Sequence, residues 1–403
     1  MRGGNIRRVS LSGFVLLTSL WMAVAVAQPS PDANAEELLR QAQGLETSNF
    51  AEFSVVLQKL NSDAITLSPD QQMRVRYLNA FQLAYRGDSK ASVRLLNDVI
   101  EHSSDPTLRL RAISTQINVL TLSARYEEAF TRLSQLLDLL PTVTERRARQ
   151  QALGVASLLY TEAGQYDLAL SYAAQMRDES PSEDNACRAD YATILALHTS
   201  GKFPTGDPKV AQAISGCVGA KEPIFSGFIR SFLASDEIKH GRPHQAIKLL
   251  QVNLGSARDT HYPRLISEVN VVLAQAYWQT GDVDRAEQAA LAAAATAIKN
   301  EYTEPRTQAY QVLYQIERQR GNFAAALDYH EKYMAADKGY LNTVSAKSLA
   351  YQTVKQQVLA KKLQIDALAK QNKILQLQQA LGKKAMEAGR LWIILLVLLL
   401  CSI

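Results

Sequence analysis

The chain has 403 residues, 47% hydrophobic and 21% charged, with a formal net charge of +5, a length that suits two or more domains or one elongated array. The charge is unevenly spread: residues 346–390 hold nine Lys or Arg against Asp366 and Glu387, whereas 28–345 sum to −5. A mildly acidic body with one basic segment argues against a nucleic-acid partner.

In chain order, the first feature is "MRGGNIRRVSLSGFVLLTSLWMAVAVAQPS". Arg2, Arg7 and Arg8 precede an apolar stretch that closes on Ala25-Val26-Ala27, the small residues that signal peptidase requires. Residues 1–27 are expected to be a secretory signal peptide and 28–34 a linker, which places the body outside the cytoplasm.

A repeat follows. Turn-like marks recur at Ser48, Gly87, Ala124, Gly164, Gly201, Gly241, Gly281 and Gly321, at intervals of 37 to 40 residues. Between the marks, segments such as "LISEVNVVLAQAYWQT" place apolar residues three and four apart, the spacing of an amphipathic helix. Pro106, Pro141, Pro181 and Pro305 fall in the connections, where a missing N–H costs little. Each unit is therefore helix, tight turn, helix, linker, and the fold class is all-α. Residues 35–338 are expected to form a solenoid of about eight helical hairpins with a period near 40.

Two units, "ARYEEAFTRLSQLLDLLP" and "GQYDLALSYAAQMRDESP", carry an aromatic after the turn (Tyr126, Tyr166), an Ala three residues on (Ala129, Ala169) and a closing Pro (Pro141, Pro181). This pattern resembles the tetratricopeptide repeat. The resemblance implies stacked hairpins whose inner helices line a concave surface for an extended peptide or protein segment. On that geometry Arg111, Asn118, Arg188, Tyr191, His198, Gln275, Trp278, Gln308, Gln315 and Arg318 are the candidate groove residues.

Cys187 and Cys217 flank the Gly201 turn at helix ends that an antiparallel hairpin brings together, and in an exported chain a disulfide between them is expected. No catalytic constellation is present. The six His are scattered, and His240 and His244, though four apart, are separated by Gly241 and Pro243, a turn and not a metal site. Phosphate loops and nucleophile elbows are absent, so no enzyme, cofactor or metal is expected within these residues.

After Gly339 the rhythm stops. Residues 340–390 form a Pro-free stalk with two apolar seams, Val354, Val358, Ile365, Leu368 and Leu375, and Leu363, Ala367, Ile374, Leu377 and Leu381, a pattern that suits pairing as a homodimeric coiled coil. "LWIILLVLLLCSI", 391–403, is expected to be a truncated transmembrane helix. The stalk, above all "KQQVLAKKLQIDALAKQNKILQLQQALGKKAMEAGRLW", resembles the sensory half of bacterial membrane-bound diguanylate cyclases with tetratricopeptide sensors. That likeness implies an inner-membrane protein with residues 28–390 in the periplasm and a cytoplasmic GGDEF output domain, whose motif this sequence lacks. A membrane-tethered periplasmic adaptor without signalling output and the sensor half of a histidine kinase are the alternatives.

Overall fold

The computed structural model describes residues 31–46, 49–62, 65–179, 183–296 and 303–401. Among them every regular element is a helix. The expected signal peptide, residues 1–27, lies outside the described residues, and α1 (Pro31–Leu45) begins within the segment expected to be a linker.

The chain divides into two compact units, residues 1–71 and 72–403. In the first, α1 pairs with α2 (Phe50–Leu60), and Leu39, Phe53, Leu57 and Leu60 supply its buried apolar side chains. Asn49 caps α2 by accepting from the Glu52 N–H, which satisfies one of the amides left free at a helix start.

The second unit consists of antiparallel hairpins. They are α3 (Pro69–Tyr85) with α4 (Ser89–His102), α5 (Pro106–Leu122) with α6 (Tyr126–Leu139), and α7 (Arg146–Glu162) with α8 (Tyr166–Glu179). Next come α9 (Glu183–Thr199) with α10 (Pro208–Gly219), and α11 (Pro223–Lys239) with α12 (Pro243–Asp259). The last two are α13 (Pro263–Gln279) with α14 (Val283–Ala295), and α15 (Glu304–Gln319) with α16 (Phe323–Cys401). The leading helices pack side by side, α5 on α7, α7 on α9, and so on to α15.

The recurring marks of the sequence are the points where each leading helix ends. Gly87, Gly164, Gly201, Gly241, Gly281 and Gly321 have φ between 72° and 85°. After each, the next residue's N–H reaches back five residues to a helix carbonyl, as Gln165 does to Tyr160 (2.8 Å) and Asp282 to Tyr277 (2.9 Å). This closes the helix and needs a left-handed residue, which Gly supplies without a steric cost. Ala124 occupies that position in the third hairpin with φ 57° and the same closure, Arg125 N–H to Leu120 O. Ser48, the first mark, lies outside the described residues.

Small side chains sit where the two helices of a hairpin touch. Ala129, Ala169, Ala246 and Ala286 are fully buried five residues after their turns. Ser92 takes that place in the α3–α4 hairpin and donates its hydroxyl to the Ala80 carbonyl (2.8 Å), so the close approach is kept and the polar group is satisfied. Between α11 and α13 the approach is closer still: a Cβ at Gly227 would lie 2.8 Å from a Leu265 methyl.

Cys187 of α9 and Cys217 of α10 form a disulfide across 30 residues. Both are buried against Val210, Ala213, Ile229 and Phe232. The bridge ties down α10, whose 12 residues make it the shortest α-helix described in the second unit, and a loop of this length is worth about 3 kcal/mol in the chain-entropy picture.

Nothing interrupts the chain at Gly339. α16 runs for 79 residues from Phe323 to Cys401. The segment expected to span a membrane is its continuation, and among the described residues no helix is long and apolar enough to cross one. The physical reason is charge: among the 18 residues 384–401 stand Lys384, Glu387 and Arg390, each costly in hydrocarbon.

Candidate functional site

The inner faces of α7, α9, α11, α13 and α15 enclose a cavity of about 1050 Å³, and α16 forms one of its walls. Because the leading helices lie in register, residues from five hairpins converge on one space. α9 contributes Tyr191 and His198; α11 Phe228, Phe232 and Lys239; α13 Arg264, Glu268, Gln275 and Trp278; α15 Glu304, Gln308 and Gln315. Tyr340, Thr343, Val344, Lys347 and Ser348 face them from α16.

α16 is held in place by its own side chains. Tyr351, buried, packs between Phe130 of α6 (centroids 5.5 Å) and Tyr160 of α7 (5.9 Å, edge-on), and Tyr160 stacks in turn on Tyr172. Ala350 and Val354 are buried beside it. Lys347 Nζ lies 2.9 Å from the Glu162 carboxylate and 5.6 Å from the centre of the Tyr126 ring. With both members of the Lys347–Glu162 pair more than four-fifths buried, this pair is shielded from salt and water in a way that surface pairs are not. The helix that begins as the second arm of the last hairpin thus crosses back to the third and fourth hairpins of the chain.

The cavity wall is amphiphilic. A chain of side-chain hydrogen bonds runs from Gln275 Nε2 to Gln308 Oε1 (3.1 Å) and from Gln308 Nε2 to Glu304 Oε1 (2.9 Å), and Tyr340 Oη donates to Glu304 Oε2 (3.2 Å). The aromatic side is formed by Tyr191 against Phe228 and Phe232, with centroids 5.9 and 6.5 Å apart, and Phe225, outside the lining, packs on Tyr191 at 5.0 Å. His198 stacks on Phe232 at 4.5 Å. Burial, helped by Lys239 and opposed by Asp236, depresses the His198 pKa to about 4, so its ring is neutral at neutral pH. Burial pushes the Tyr191 and Tyr340 hydroxyls up. Desolvation, together with the charge of Glu304, pushes Glu268 up to about 8.

The cavity brings together six of the residues picked from the repeat geometry: Tyr191, His198, Gln275, Trp278, Gln308 and Gln315. The other four lie elsewhere. Arg111 sits over the Tyr77 ring at 4.9 Å, and Arg188 is paired with Glu222 (2.6 Å) above Phe225. Asn118 and Arg318 are exposed. Sequence reasoning missed Glu162, Phe228, Phe232, Glu268 and Glu304, and it missed every contribution of α16. The leading-helix register that selected Gln275 also selects Glu268, seven residues earlier and two turns away on the same face. His240, set aside as a turn residue, has Nδ1 2.9 Å from the Asp236 carbonyl.

No family model matches the chain, and no curated protein matches it. Solved structures do. A Rap protein crystallised in complex with Competence and Sporulation Factor superposes with a TM-score of 0.54 at 11% identity, over 77% of this chain and 99% of that one. A Signal Transduction ATPase with Numerous Domains from Pyrococcus horikoshii, which carries a tetratricopeptide repeat sensor, superposes with a TM-score of 0.53 at 12% identity. That match covers 78% of this chain and 50% of the other. The fold is tetratricopeptide-like. Identities this low speak to architecture alone.

Proposed function

We propose that the chain is a ligand-binding, signal-transmitting repeat module whose inner cavity takes a peptide or an extended protein segment. The observation that carries this reading is the double lining of the cavity. An occupant of the space between the leading helices and Tyr340–Ser348 touches both the array and α16. Binding therefore discriminates between docked and undocked α16, and a ligand shifts a conformational balance only through such a difference in affinity. The Gln-rich and aromatic wall suits main-chain amides and apolar side chains together, and the Rap protein of similar fold was solved with a factor bound.

On this reading α16 is the output element. The exposed seam from Val358 to Leu381 pairs with a second copy as a coiled coil, and a ligand alters that pairing. The disulfide fits an exported array. The resemblance of the stalk to membrane-bound diguanylate cyclases supports an inner-membrane signalling protein whose periplasmic array governs a cytoplasmic GGDEF domain. The chain itself then carries no catalytic activity.

The test is amide hydrogen exchange on the full chain, with and without peptides selected from pools of random hexapeptides. A peptide that protects α9, α13 and α15 is expected to change exchange in 340–358 as well. Protection of the cavity with no change in 340–358 would leave a binding module without transmission.

A further inference from the structure

The docked part of α16 and its exposed stalk share one stripe. Tyr340, Val344, Lys347, Tyr351 and Val354 follow one another in steps of four, three, four and three residues. The same alternation carries on without a break to Val358, Lys361, Ile365, Leu368, Asn372 and Leu375. This is the a/d spacing of a coiled coil over residues 340–375, about five heptads. What differs along it is the cover. Tyr340 and Val344 line the cavity, Lys347 meets Glu162, and Tyr351 sits against Phe130 and Tyr160. Val354 is 6% exposed, whereas Val358, the next position of the stripe, is 45% exposed. The exposed half has the composition of a two-stranded parallel zipper. Val358 and Ile365 place β-branched side chains at a, Leu368 and Leu375 place leucine at d, and Asn372 is an a-position Asn of the kind that fixes register. The facing g and e positions, Gln357 with Lys362 and Gln364 with Ala369, bring no like charges together. The occupant this pattern fits is a second copy of this chain, parallel and in register.

We infer that residues 340–354 exchange partners: they dock on their own array or pair with the same residues of a second copy, so that docking restrains dimerisation. This rests on the seam pairing proposed above and names how the array controls it. One set of side chains cannot meet both surfaces. With α16 docked, only 358–375 is free, about two and a half heptads, short of the three or four that mark a coiled coil. Released, the seam is about five heptads long. The apparent affinity between copies therefore falls as the fraction of docked chains rises. An occupant that bridges the array and Tyr340–Ser348 holds the chain in the weakly pairing form. The second row of apolar residues, with Leu363, Ile374 and Leu377, falls at c and f of this register, away from the stripe.

The experiment is disulfide cross-linking of the full chain in a Cys401→Ser background, which removes the exposed free thiol. Single cysteines are placed by Val344→Cys and Val358→Cys, both at a, and by Leu363→Cys, at f. Each is tested with the native array and with Glu162→Lys, which sets a like charge against Lys347 and leaves the stripe intact. Phe130→Ala, which empties the slot beside Tyr351, is a second release, and amide exchange in 340–354 reports release in both. With the native array, Val358→Cys is expected to cross-link about tenfold faster than Val344→Cys, and release should bring the two rates together. Equal rates with the native array would overturn the exchange and leave the seam pairing standing. So would a released 340–354 with no gain at Val344→Cys. Fastest cross-linking at Leu363→Cys would also overturn it, because that face is not the one the array covers. No cross-linking at any position would overturn both the exchange and the seam pairing.

Discussion

Tyr340–Val354 and Lys355–Cys401 are consecutive parts of one helix, α16, and they have opposite fates. In the first, Ala350, Tyr351 and Val354 are buried and even Lys347 is largely enclosed. In the second, which is richer in Leu and Ile, every described side chain is exposed, with Ile365, Leu368 and Leu375 48% to 62% accessible. A side chain's own hydrophobicity therefore does not decide burial here. The partner surface does. Phe130 and Tyr160 provide a slot that one aromatic fills, and a bare seam of leucines gains nothing until another surface comes to it.

The comparison can be broken most forcefully at Tyr351. Tyr351→Ala is expected to cost about 3 kcal/mol and to release 340–354, seen as a lower midpoint in urea together with faster amide exchange in that segment. Unchanged exchange there would mean that the remaining contacts hold α16 in place. Next is the enclosed ion pair. Lys347→Met leaves Glu162 without its partner and is expected to cost about 2 kcal/mol, and Lys347→Met combined with Glu162→Leu should recover most of it. A double variant as unstable as the single one would show that the pair acts through shape and not charge.

The third prediction turns on pH. Glu268 has its folded pKa raised to about 8, so the folded state holds a proton that the unfolded state has already released. Stability from this group is present below the unfolded value near 4.5 and is lost as pH rises to about 8. His198 acts in the other sense: its folded pKa is lowered to about 4, so its contribution is present above the unfolded value near 6.5 and is lost as pH falls toward 4. Of these two groups, only Glu268 acts between 6.5 and 8. Glu268→Gln should flatten the decline in melting temperature over that interval, and an unaltered slope would exclude it as the source. The smallest effect belongs to the exposed half. Leu368→Gln should move the stability of the dilute protein by less than about 0.5 kcal/mol. A larger loss that grows with protein concentration would reveal a second copy on the seam.

Much of the array was legible because its punctuation is stereochemical. The glycines that mark the repeat are the residues that end each leading helix with positive φ, and Ala124 keeps the period although it is not a glycine. The groove was only partly legible. Periodicity places Tyr191, His198, Gln275 and Gln308 on inner faces, but it does not foresee that Arg111 and Arg188 satisfy themselves locally on Tyr77 and Glu222. The wall supplied by α16 was invisible for a different reason. Tyr340, Lys347 and Tyr351 meet α15, α7 and α6 across intervals of 36 to about 220 residues, and nothing local in "KGYLNTVSAKSLAYQTV" records those partners.

The absence of any break in α16 makes it a lever. From Val354, where the docked part ends, to Cys401 the helix extends roughly 70 Å. Seated on hairpins at one end and free of its own chain along the rest, it enlarges small movements: a tilt of about 5° at the dock displaces the far end by about 6 Å. On the proposed reading, a movement of that size at the dock reaches the distant end as a displacement the size of a full helical turn.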